Sequence, residues 1–313
     1  MAEKIATRES YGSALVELAD KYDFVVLDAD LAEATKTIKF KKAYPDRFFD
    51  CGIAEGNMVS VAAGIATTGK TVFASSFAMF AAGRAFEQVR NSVGYPHLNV
   101  KIGATHAGIT VGEDGATHQC NEDIALMRTI PGMTIINPSD AVEARAAVEA
   151  AINTNGPFYL RFGRFAVPVI NDNADYKFEL GKGVCLADGT DVTIVATGLM
   201  VSMALEAREE LAKEGISARV VNIHTIKPID RDIIAKAVAD TGAIVTAEEH
   251  NVIGGLGAAV TEVVCETAPA PVVRVGMQDT YGHSGTVPAL LEAYGLTPAT
   301  IVEGAKKAIA LKK

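Results

Sequence analysis

The sequence of 313 residues lacks several features that point to particular classes of protein. It contains no tryptophan and only four cysteines, which are far apart and form no Cys-x-x-Cys pair. This spacing argues against a disulfide framework or a zinc site and predicts reduced thiols in a cytoplasmic protein. No apolar run is long enough to span a bilayer, and the N-terminus lacks the plan of a signal peptide. We therefore do not expect a membrane or secreted protein.

Basic residues are also in deficit. The chain carries 29 Lys and Arg against 38 Asp and Glu, which gives a formal net charge of −9, and it has no basic cluster. Nucleic acid and anionic membrane surfaces are therefore not expected as partners. Apolar residues, in contrast, make up 49% of the chain, which suits an enzyme with a well-buried sheet.

Segments that predict strands alternate with segments that predict helices along the chain. This order predicts an α/β fold of two open, mostly parallel-sheet domains. Between residues 166 and 182 the alternation stops in a segment rich in Asn and Asp that includes Asp175. We interpret this segment as a linker. The predicted domains are therefore residues 1–165 and the smaller 183–313.

One carboxylate stands at a predicted strand-to-helix junction. The segment Phe49–Met58 runs from a strand-like end through a glycine turn into a helix whose first turn carries Glu55. Apolar residues follow at helical spacing, and they predict a buried face: Met58, Val61, Ala62 and Ile65. An acidic residue here has an ordinary explanation, because the helix dipole favours an anion at the N-terminus. The local pattern alone favours that interpretation.

A further helix is predicted from about Phe77 to Val93. One of its faces mixes aromatic with polar side chains: Phe77, Phe80, Ala81, Arg84 and Gln88. Because an aromatic stripe at helical spacing is usually core, spacing alone assigns Phe77 and Phe80 to the core.

The loop 105–120 gathers chemically active side chains among glycines: His106, Glu113, Asp114 and His118. It can be a solvated loop, a metal site, or a polar substrate pocket whose histidines act as general acid–base groups. Two histidines and an acid pair in one short loop make the first interpretation the weakest. The histidines are not at a helical metal spacing, but composition alone does not decide between the other two.

These motifs, taken in order, resemble those of the transketolase family. Three segments resemble its pyrimidine-binding domain: Gly52-Ile53-Ala54-Glu55-Gly56-Asn57-Met58, Phe77-x-x-Phe80-Ala81-Ala82-Gly83, and Thr105-His106 followed by Gly112-Glu113-Asp114-Gly115-Ala116-Thr117-His118-Gln119. Three others resemble its C-terminal domain: Gly189-x-Asp191-Val192-Thr193, Lys227-Pro228-Ile229-Asp230 and Glu248-Glu249-His250-Asn251. The match is collinear and covers nearly the whole chain.

The resemblance implies thiamine diphosphate-dependent transfer of a two-carbon ketol unit between sugar phosphates, as in the pentose phosphate pathway. Glu55 matches the glutamate that hydrogen-bonds the aminopyrimidine ring and so helps the cofactor to form its own nucleophile. The other implied cofactor contacts are Asp30, Phe77 and Phe80. The implied substrate contacts are Arg8, His106, Asp114 and His118. Of these, the two histidines are implied in proton transfer and oxyanion stabilisation, so the implied catalytic residues are Glu55, His106 and His118.

Two positions depart from the family pattern around the substrate phosphate. Ala34 stands where the family often has a serine, and Asn137 stands where it often has an arginine before Pro-Ala-Asp. We therefore expect a weaker or differently built phosphate site.

A larger departure is the missing N-terminal domain, which in the family binds the diphosphate and a divalent metal through a Gly-Asp-Gly motif. That motif does not occur in these 313 residues. The chain thus resembles the C-terminal subunit of a split transketolase, with no metal ligands of its own. The resemblance implies a separate N-terminal subunit, Mg²⁺ or another divalent cation bound mainly by that partner, and a 2+2 heterotetramer that is active only when complete.

Three other functions stay open. The beta subunit of a 2-oxo-acid dehydrogenase shares both domains and the glutamate, but the segment 112–119 favours sugar chemistry. A deoxyxylulose phosphate synthase-like enzyme has a similar loop in a single longer chain. A catalytically silent assembly subunit is disfavoured by Glu55, His106 and His118. The histidines of the second domain are expected to be structural or interfacial: His224, His250 and His283.

Overall fold

The computed structural model describes residues 3–174 and 176–312, so Asp175 of the predicted linker lies outside the described residues. We call the residues up to 174 the first half and those from 176 the second half. Strands and helices alternate through both halves, which confirms the predicted α/β fold. None of the helices in these ranges is long and apolar enough to cross a membrane.

The first half contains most of the strands and several short helices. Its strands are β1 (Lys4–Ala6), β2 (Phe24–Asp28), β3 (Phe48–Asp50), β4 (Thr71–Phe77), β5 (Val100–Thr105), β6 (Thr134–Ile136), β7 (Phe158–Arg161) and β8 (Ala166–Pro168). Its α-helices are α1 (Thr7–Leu18), α2 (Ala32–Thr35), α3 (Ile38–Ala43), α4 (Glu55–Ala66), α5 (Phe86–Gln88), α6 (Asp123–Arg128) and α7 (Ala141–Asn153). Two π-helical segments, Met79–Arg84 and Val89–Gly94, flank α5. Single 3₁₀ turns lie at Pro45–Arg47 and Ile109–Val111.

The second half repeats the alternation with longer helices. Its strands are β9 (Val184–Ala187), β10 (Val192–Ala196), β11 (Ala218–Asn222), β12 (Thr225–Lys227), β13 (Ile244–Asn251) and β14 (Val272–Met277). Its helices are α8 (Met200–Lys213), α9 (Arg231–Thr241), α10 (Leu256–Thr267), α11 (Val287–Ala293) and α12 (Pro298–Ala310).

Six strands of the first half and β12 of the second half form a sheet in the order β12-β6-β7-β5-β4-β2-β3. All of its neighbouring pairs are parallel except β12 with β6. The carboxyl ends of β2, β3, β4, β5 and β7 therefore lie along one edge of the sheet. In open parallel sheets, ligands bind beyond this edge, so the loops that follow these strands are the place to look for a site.

Both faces of this sheet are buried because successive side chains of a strand point to opposite sides. On β2, Val25 and Leu27 pack into one apolar cluster with α4. The intervening Phe24 and Val26 pack into a second cluster with α1 and α7. This two-sided burial produces the nearly continuous apolar strands seen in the sequence.

The second half forms its own sheet in the order β14-β13-β10-β11-β9, of which only β9 is antiparallel to its neighbour within the described residues. The short strand β12 is not part of this sheet. It pairs antiparallel with β6 of the first half. The Asn137 backbone N–H also donates to the carbonyl of His224 at 2.8 Å. A strand of the second half thus forms one edge of the first sheet, which the sequence pattern did not reveal. The segment predicted as a linker begins with β8, which pairs with β1.

The predicted helix from Phe77 to Val93 is wrong in two respects. Phe77 is the last residue of β4, and much of the following segment is π-helical rather than α-helical. The Ala85 N–H, for example, bonds to the carbonyl of Phe80 at 3.1 Å, five residues back. Such wide turns are uncommon and are frequently found at functional sites.

The predicted buried face of α4 is also only partly correct. Met58 and Ala62 are fully buried, but Val61 is 38% exposed. The adjacent Phe49 and Ile53 are exposed as well. Phe49 and Ile53 precede α4 and Val61 lies in its middle, so the surface of the single chain carries three exposed apolar side chains in this segment.

Candidate active site

Glu55 is the first residue of α4, and its carboxylate is almost completely buried at 2% exposure. Both carboxylate oxygens accept hydrogen bonds from Nη1 of Arg84, each at 3.1 Å. Arg84 itself is exposed, and its guanidinium lies over the ring of Phe80 at 4.6 Å. The carboxylate therefore has a helix N-terminus and the exposed Arg84 guanidinium as electrostatic partners.

A cavity of about 350 Å³ opens beside Glu55 at the carboxyl edge of the first sheet. Asp30, Glu55, Phe80 and His118 all contribute to its lining, together with Ile53, Arg84 and three small or apolar neighbours. The structure thus brings together four predicted residues from four separate segments of the chain.

The two predicted phenylalanines form an aromatic wall with the histidines. Phe77 and Phe80 stack with ring centroids 5.8 Å apart and an interplanar angle of 9°. His106 stacks on Phe77 at 3.7 Å, and His118 meets Phe80 edge-on at 5.2 Å. Phe80 is only half-buried and lines the cavity, so the assignment to the core from spacing alone is wrong for this residue. Phe77 is buried.

His106 is held as a neutral ring. Arg8 has only donors, so the 2.8 Å contact of its Nη1 makes Nε2 of His106 the acceptor. The proton is then on Nδ1, which donates to Oγ1 of Thr105 at 2.9 Å. Burial, followed by the charges of Arg8 and Arg164, lowers the pKa of His106 to about 3. In this arrangement His106 orients hydrogen bonds at neutral pH rather than carrying a charge.

The positive charges of two arginines and a lysine act on His106 at this end of the site. Arg8 donates to the carbonyl of Ala34 at 3.0 Å, and its Nε has no partner in the described part of the chain. Arg164 donates to the carbonyl of Val111 at 2.6 Å. The positive charges of Arg164 and Lys36 also lower the pKa of His106. A group of fixed cations of this kind suits an anionic end of a ligand.

Arg164 is a residue that the sequence reasoning missed. Its Nη1 lies 3.7 Å from the carboxylate of Asp114, and its Nη2 lies 3.8 Å from that of Glu113. It follows the carboxyl end of β7 by three residues, which is the same edge that carries Glu55 and the loop 105–120. An arginine at that distance from a predicted parallel strand is the signal that could have identified it.

The two departures from the family pattern have different surroundings. Ala34 contributes its backbone carbonyl to Arg8. Asn137 is buried at the junction with the second half, near His224. The cations near His106 thus include Arg8 and Arg164, whereas Asn137 lies at the junction of the two halves.

Asp30 is an exposed residue in a strained turn, with φ of 60°. The turn is held by Asp28, whose carboxylate accepts from the N–H of Leu31 at 2.7 Å and from the hydroxyls of Thr35 and Thr37 at 2.7 and 2.8 Å. Burial raises the pKa of Asp28 to about 6. His106 also has a positive φ, of 55°. Non-glycine residues in this conformation cluster at functional sites.

The surroundings of the loop 105–120 bear on its three interpretations. Within residues 3–174 and 176–312, no group of three or more His, Cys, Asp or Glu side chains is arranged to hold a metal ion. The loop is not solvated throughout either, because His106 and Gln119 are each 3% exposed. Of the three histidines in the second half, His224 and His250 are buried and His283 is exposed. The arrangement favours a polar pocket.

Comparisons with known proteins agree on one family. The profile of the transketolase pyrimidine-binding domain matches residues 3–169, and that of the transketolase C-terminal domain matches residues 181–301. A protein of Methanocaldococcus jannaschii named "Putative transketolase C-terminal section" is 51% identical over 299 residues, which are 95% of this chain and 94% of that protein. The "6-deoxy-6-sulfo-D-fructose transketolase subunit SqwH" of a Clostridium strain is 46% identical, over 95% of this chain and 92% of that one.

The length of the match is as informative as the identity. The transketolase of Homo sapiens is 38% identical over 98% of this chain, but the match covers only 49% of the human protein. A solved structure described as "Split gene transketolase, inactive beta4 tetramer" is 54% identical and has a TM-score of 0.91, over 99% of this chain and 100% of that one. The chain therefore belongs to the transketolase family, and it corresponds to the family's C-terminal section.

Proposed function

We propose that this chain is the C-terminal subunit of a thiamine diphosphate-dependent transketolase, which a separate N-terminal subunit completes. The observation that carries the proposal is the cavity in which the buried Glu55 carboxylate, the Phe80 ring, Asp30 and His118 meet. The reaction is the transfer of a two-carbon ketol unit between sugars, for which the pentose phosphate pathway is the first candidate setting.

The residues at the cavity fit the aminopyrimidine end of the cofactor. A flat heteroaromatic ring with N–H groups needs a buried acceptor and an apolar face, and Glu55 and Phe80 offer both. Arg84 at present makes both contacts, because its guanidinium bonds to Glu55 and lies over Phe80. Arg84 therefore has to move aside when the ring binds. When bound, thiamine diphosphate supplies the nucleophile and the electron sink for cleavage of a ketose.

The chain's own residues then hold protons and orient the sugar. Glu55 keeps a proton shared with the bound ring. Half-buried His118 offers its Nε2 for the hydroxyl and carbonyl oxygens of the substrate, where it stabilises developing charge. Both ring nitrogens of neutral His106 are engaged, with Arg8 and Thr105, so His106 reaches the substrate only when its contact with Arg8 opens. Asp114 beside Arg164 is the candidate acceptor for a sugar hydroxyl.

The positive end of the site supports an anionic sugar as substrate. Arg8, Arg164 and Lys36 are the cations near His106. A phosphate is the first candidate for the anion. A sulfonate is the second, because the Clostridium relative is named for a sulfonated sugar.

A partner subunit is proposed for the diphosphate and the divalent cation. The chain matches about half of the human transketolase, and its described residues contain no cluster of metal-ligating side chains. Phe49 and Ile53 before α4 and Val61 in its middle are exposed apolar residues, which supports their burial in an assembly. A 2+2 heterotetramer is the proposed form.

A two-carbon transfer assay tests this function. The chain alone, the N-terminal subunit alone and their mixture are each given thiamine diphosphate, Mg²⁺ and ribose 5-phosphate. Xylulose 5-phosphate is the donor in one series and 6-deoxy-6-sulfofructose in the other. Transfer by the mixture alone, from either donor, is the expected result, and the preferred donor identifies the anion. Transfer by this chain alone would contradict the shared site, and no transfer from either donor would contradict the proposed reaction.

A further inference from the structure

The loop that carries His106 and His118 is held from both halves of the chain. From the first half, the Gly108 N–H bonds to the carbonyl of Cys120 at 2.9 Å, which closes the loop on itself. From the second half, a carboxylate reaches into the middle of the loop. That carboxylate belongs to Glu249 on β13.

Glu249 is buried and touches the loop backbone directly. Its Oε1 accepts a hydrogen bond from the backbone N–H of Thr110 at 2.7 Å. The same oxygen lies against Gly108, where a Cβ atom would come within 2.2 Å of it. Gly108 also has a φ of +78°, which favours glycine there. The loop backbone therefore fits closely around this one side chain.

The position of Glu249 is fixed by a buried network at the junction of the two halves. Nη2 of Arg161 donates to the carbonyl of Glu249 at 2.9 Å. The same guanidinium bonds to both carboxylate oxygens of Asp123, at 2.8 and 3.2 Å, and Tyr159 donates to Asp123 at 2.8 Å. All of these side chains are buried. The carboxylate thus projects from a rigid base.

The side chain of the neighbouring Glu248 makes its hydrogen bonds within the second half. Successive residues of a strand point to opposite faces, and the Glu248 carboxylate accepts from the N–H groups of Leu256 and Gly257 at 2.6 and 2.8 Å. It thereby holds the start of α10. Two adjacent, equally buried glutamates therefore have separable tasks.

We infer that the C-terminal domain positions the two histidines through Glu249, which makes Glu249 a positioning residue. A second tie supports this role at the far end of the loop, where Nε2 of Gln119, next to His118, donates to the carbonyl of His283 at 3.0 Å. The inference rests on the proposed function because it assigns these histidines to two-carbon transfer. Without the carboxylate, the buried Thr110 N–H has no acceptor, and the loop is free to shift.

Hydrogen exchange on the full chain tests the contact without any need for activity. In Glu249→Ala, we expect the Thr110 amide to exchange at least about tenfold faster, because its acceptor is gone. Glu249→Gln keeps a carbonyl oxygen at the same reach and is expected to retain the protection. The matched control, Glu248→Ala, is expected to lose protection at the start of α10 and to leave Thr110 unchanged. Equal loss at Thr110 in Glu248→Ala and Glu249→Ala would overturn the inference.

Kinetics of the complex with the N-terminal subunit test the consequence for the reaction. We expect kcat to fall by about 10²-fold in Glu249→Ala, because a small misplacement of catalytic groups has effects of this size. The Kd for thiamine diphosphate should change far less than kcat, since Glu55 and Phe80 of the cavity lie outside this loop. Glu249→Gln should restore most of kcat. A fall in Glu249→Ala that Glu249→Gln does not reverse would contradict the positioning role.

A variant that fails to fold and a wild-type complex that shows no activity can each be told apart from a failure of the inference. If Glu249→Ala does not fold, Glu249→Asp replaces it, because it keeps the charge but shortens the side chain by one methylene and should also expose Thr110 to exchange. If the wild-type complex transfers no two-carbon unit, the proposed function fails. The exchange comparison still decides whether Glu249 holds the loop.

Discussion

Glu55 shows how one residue can satisfy both a structural and a chemical explanation. It stands in the first turn of α4, where the helix dipole favours a negative charge. Its carboxylate also faces a cavity and is paired with the exposed Arg84. The sequence pattern could not separate these two roles, because both require an acidic residue at the same place.

Removal of the Arg84 side chain is predicted to destabilise the isolated chain. In Arg84→Ala, the buried Glu55 carboxylate loses its cationic partner, which we expect to lower the free energy of unfolding by about 1–2 kcal/mol at pH 7. Urea denaturation of both variants at pH 7 measures this. Arg90→Ala is the control, since the Arg90 side chain is exposed and within the described residues bonds only to the side chain of its neighbour Asn91. An equal effect in both variants would contradict the account.

His224 is predicted to make the protein less stable in acid. Burial lowers its pKa to about 4, against a weaker opposing effect of Asp230. Between pH 6.5 and 4 the unfolded chain therefore binds a proton that the folded chain does not, so stability falls as the pH falls through this window. At about 1.36 kcal/mol per pKa unit, the loss attributable to His224 is about 3 kcal/mol.

The variant His224→Gln isolates this contribution. Asp28 and Glu248 have pKa values raised by burial to about 6 and 7, so they act in the opposite direction in both proteins. The slope of unfolding free energy against pH is expected to be shallower in the variant from pH 6.5 to 4. Parallel slopes would show that His224 does not titrate as described.

Most of the site residues could be predicted because each lies in a motif of closely spaced residues: Glu55, Phe77, Phe80, His106, Asp114 and His118. Arg164 was missed because its partners are distant in sequence, at Asp114 and Val111. Arg84 was noted only as part of a helix face, since nothing in the spacing indicates that it reaches Glu55.

At the scale of elements, the strand ends of the first sheet determine where the chemistry can occur. The segments predicted as strands of the first sheet are strands in the structure. The candidate residues other than Arg8 lie at or after their carboxyl ends. The π-helical turns after β4 were not foreseen, because the apolar pattern of residues 77–93 fits an α-helix about as well. A hydrogen bond that spans five residues instead of four leaves little trace in such a pattern.

The turn after β2 is predicted to depend on Asp28. Asp28→Ala removes three hydrogen-bond acceptor contacts, to Leu31, Thr35 and Thr37, and should lower the free energy of unfolding by about 2–4 kcal/mol. In the complex, KM for an anionic sugar should rise, because the same turn supplies the Ala34 carbonyl that holds Arg8. Chemical denaturation and steady-state kinetics measure the two effects. A stability loss with an unchanged KM would contradict the link to Arg8.

At the scale of the whole molecule, the two halves are joined by more than a linker. Strand β12 of the second half extends the first sheet, and the Arg161–Asp123 ion pair is buried between the halves, with His250 3.9 Å from Asp123. The sequence indicated the two sheets, because each has its own alternation of strands and helices. It did not indicate how they dock, because β12 is three residues long and the buried charges come from distant segments.

Breaking this junction is predicted to uncouple the halves. Asp123→Ala leaves the Arg161 guanidinium buried without its anion, which we expect to cost about 3–5 kcal/mol. Calorimetry should then resolve two transitions, or one markedly lower transition, in place of a single cooperative one. Arg231→Ala breaks the exposed pair with Glu266 and should change stability by less than about 1 kcal/mol. A similar small effect of Asp123→Ala would contradict the role of the junction.

The central claim is that this chain contributes chemistry to a shared site and does not merely support its partner. The most direct measurement is the two-carbon transfer rate of the complex with the N-terminal subunit, at saturating thiamine diphosphate, for Glu55→Gln beside the surface control Glu266→Gln. The account predicts a loss of about 10²-fold or more for Glu55→Gln and no change for the control. An unchanged rate in Glu55→Gln would contradict it and would make the chain a silent assembly subunit.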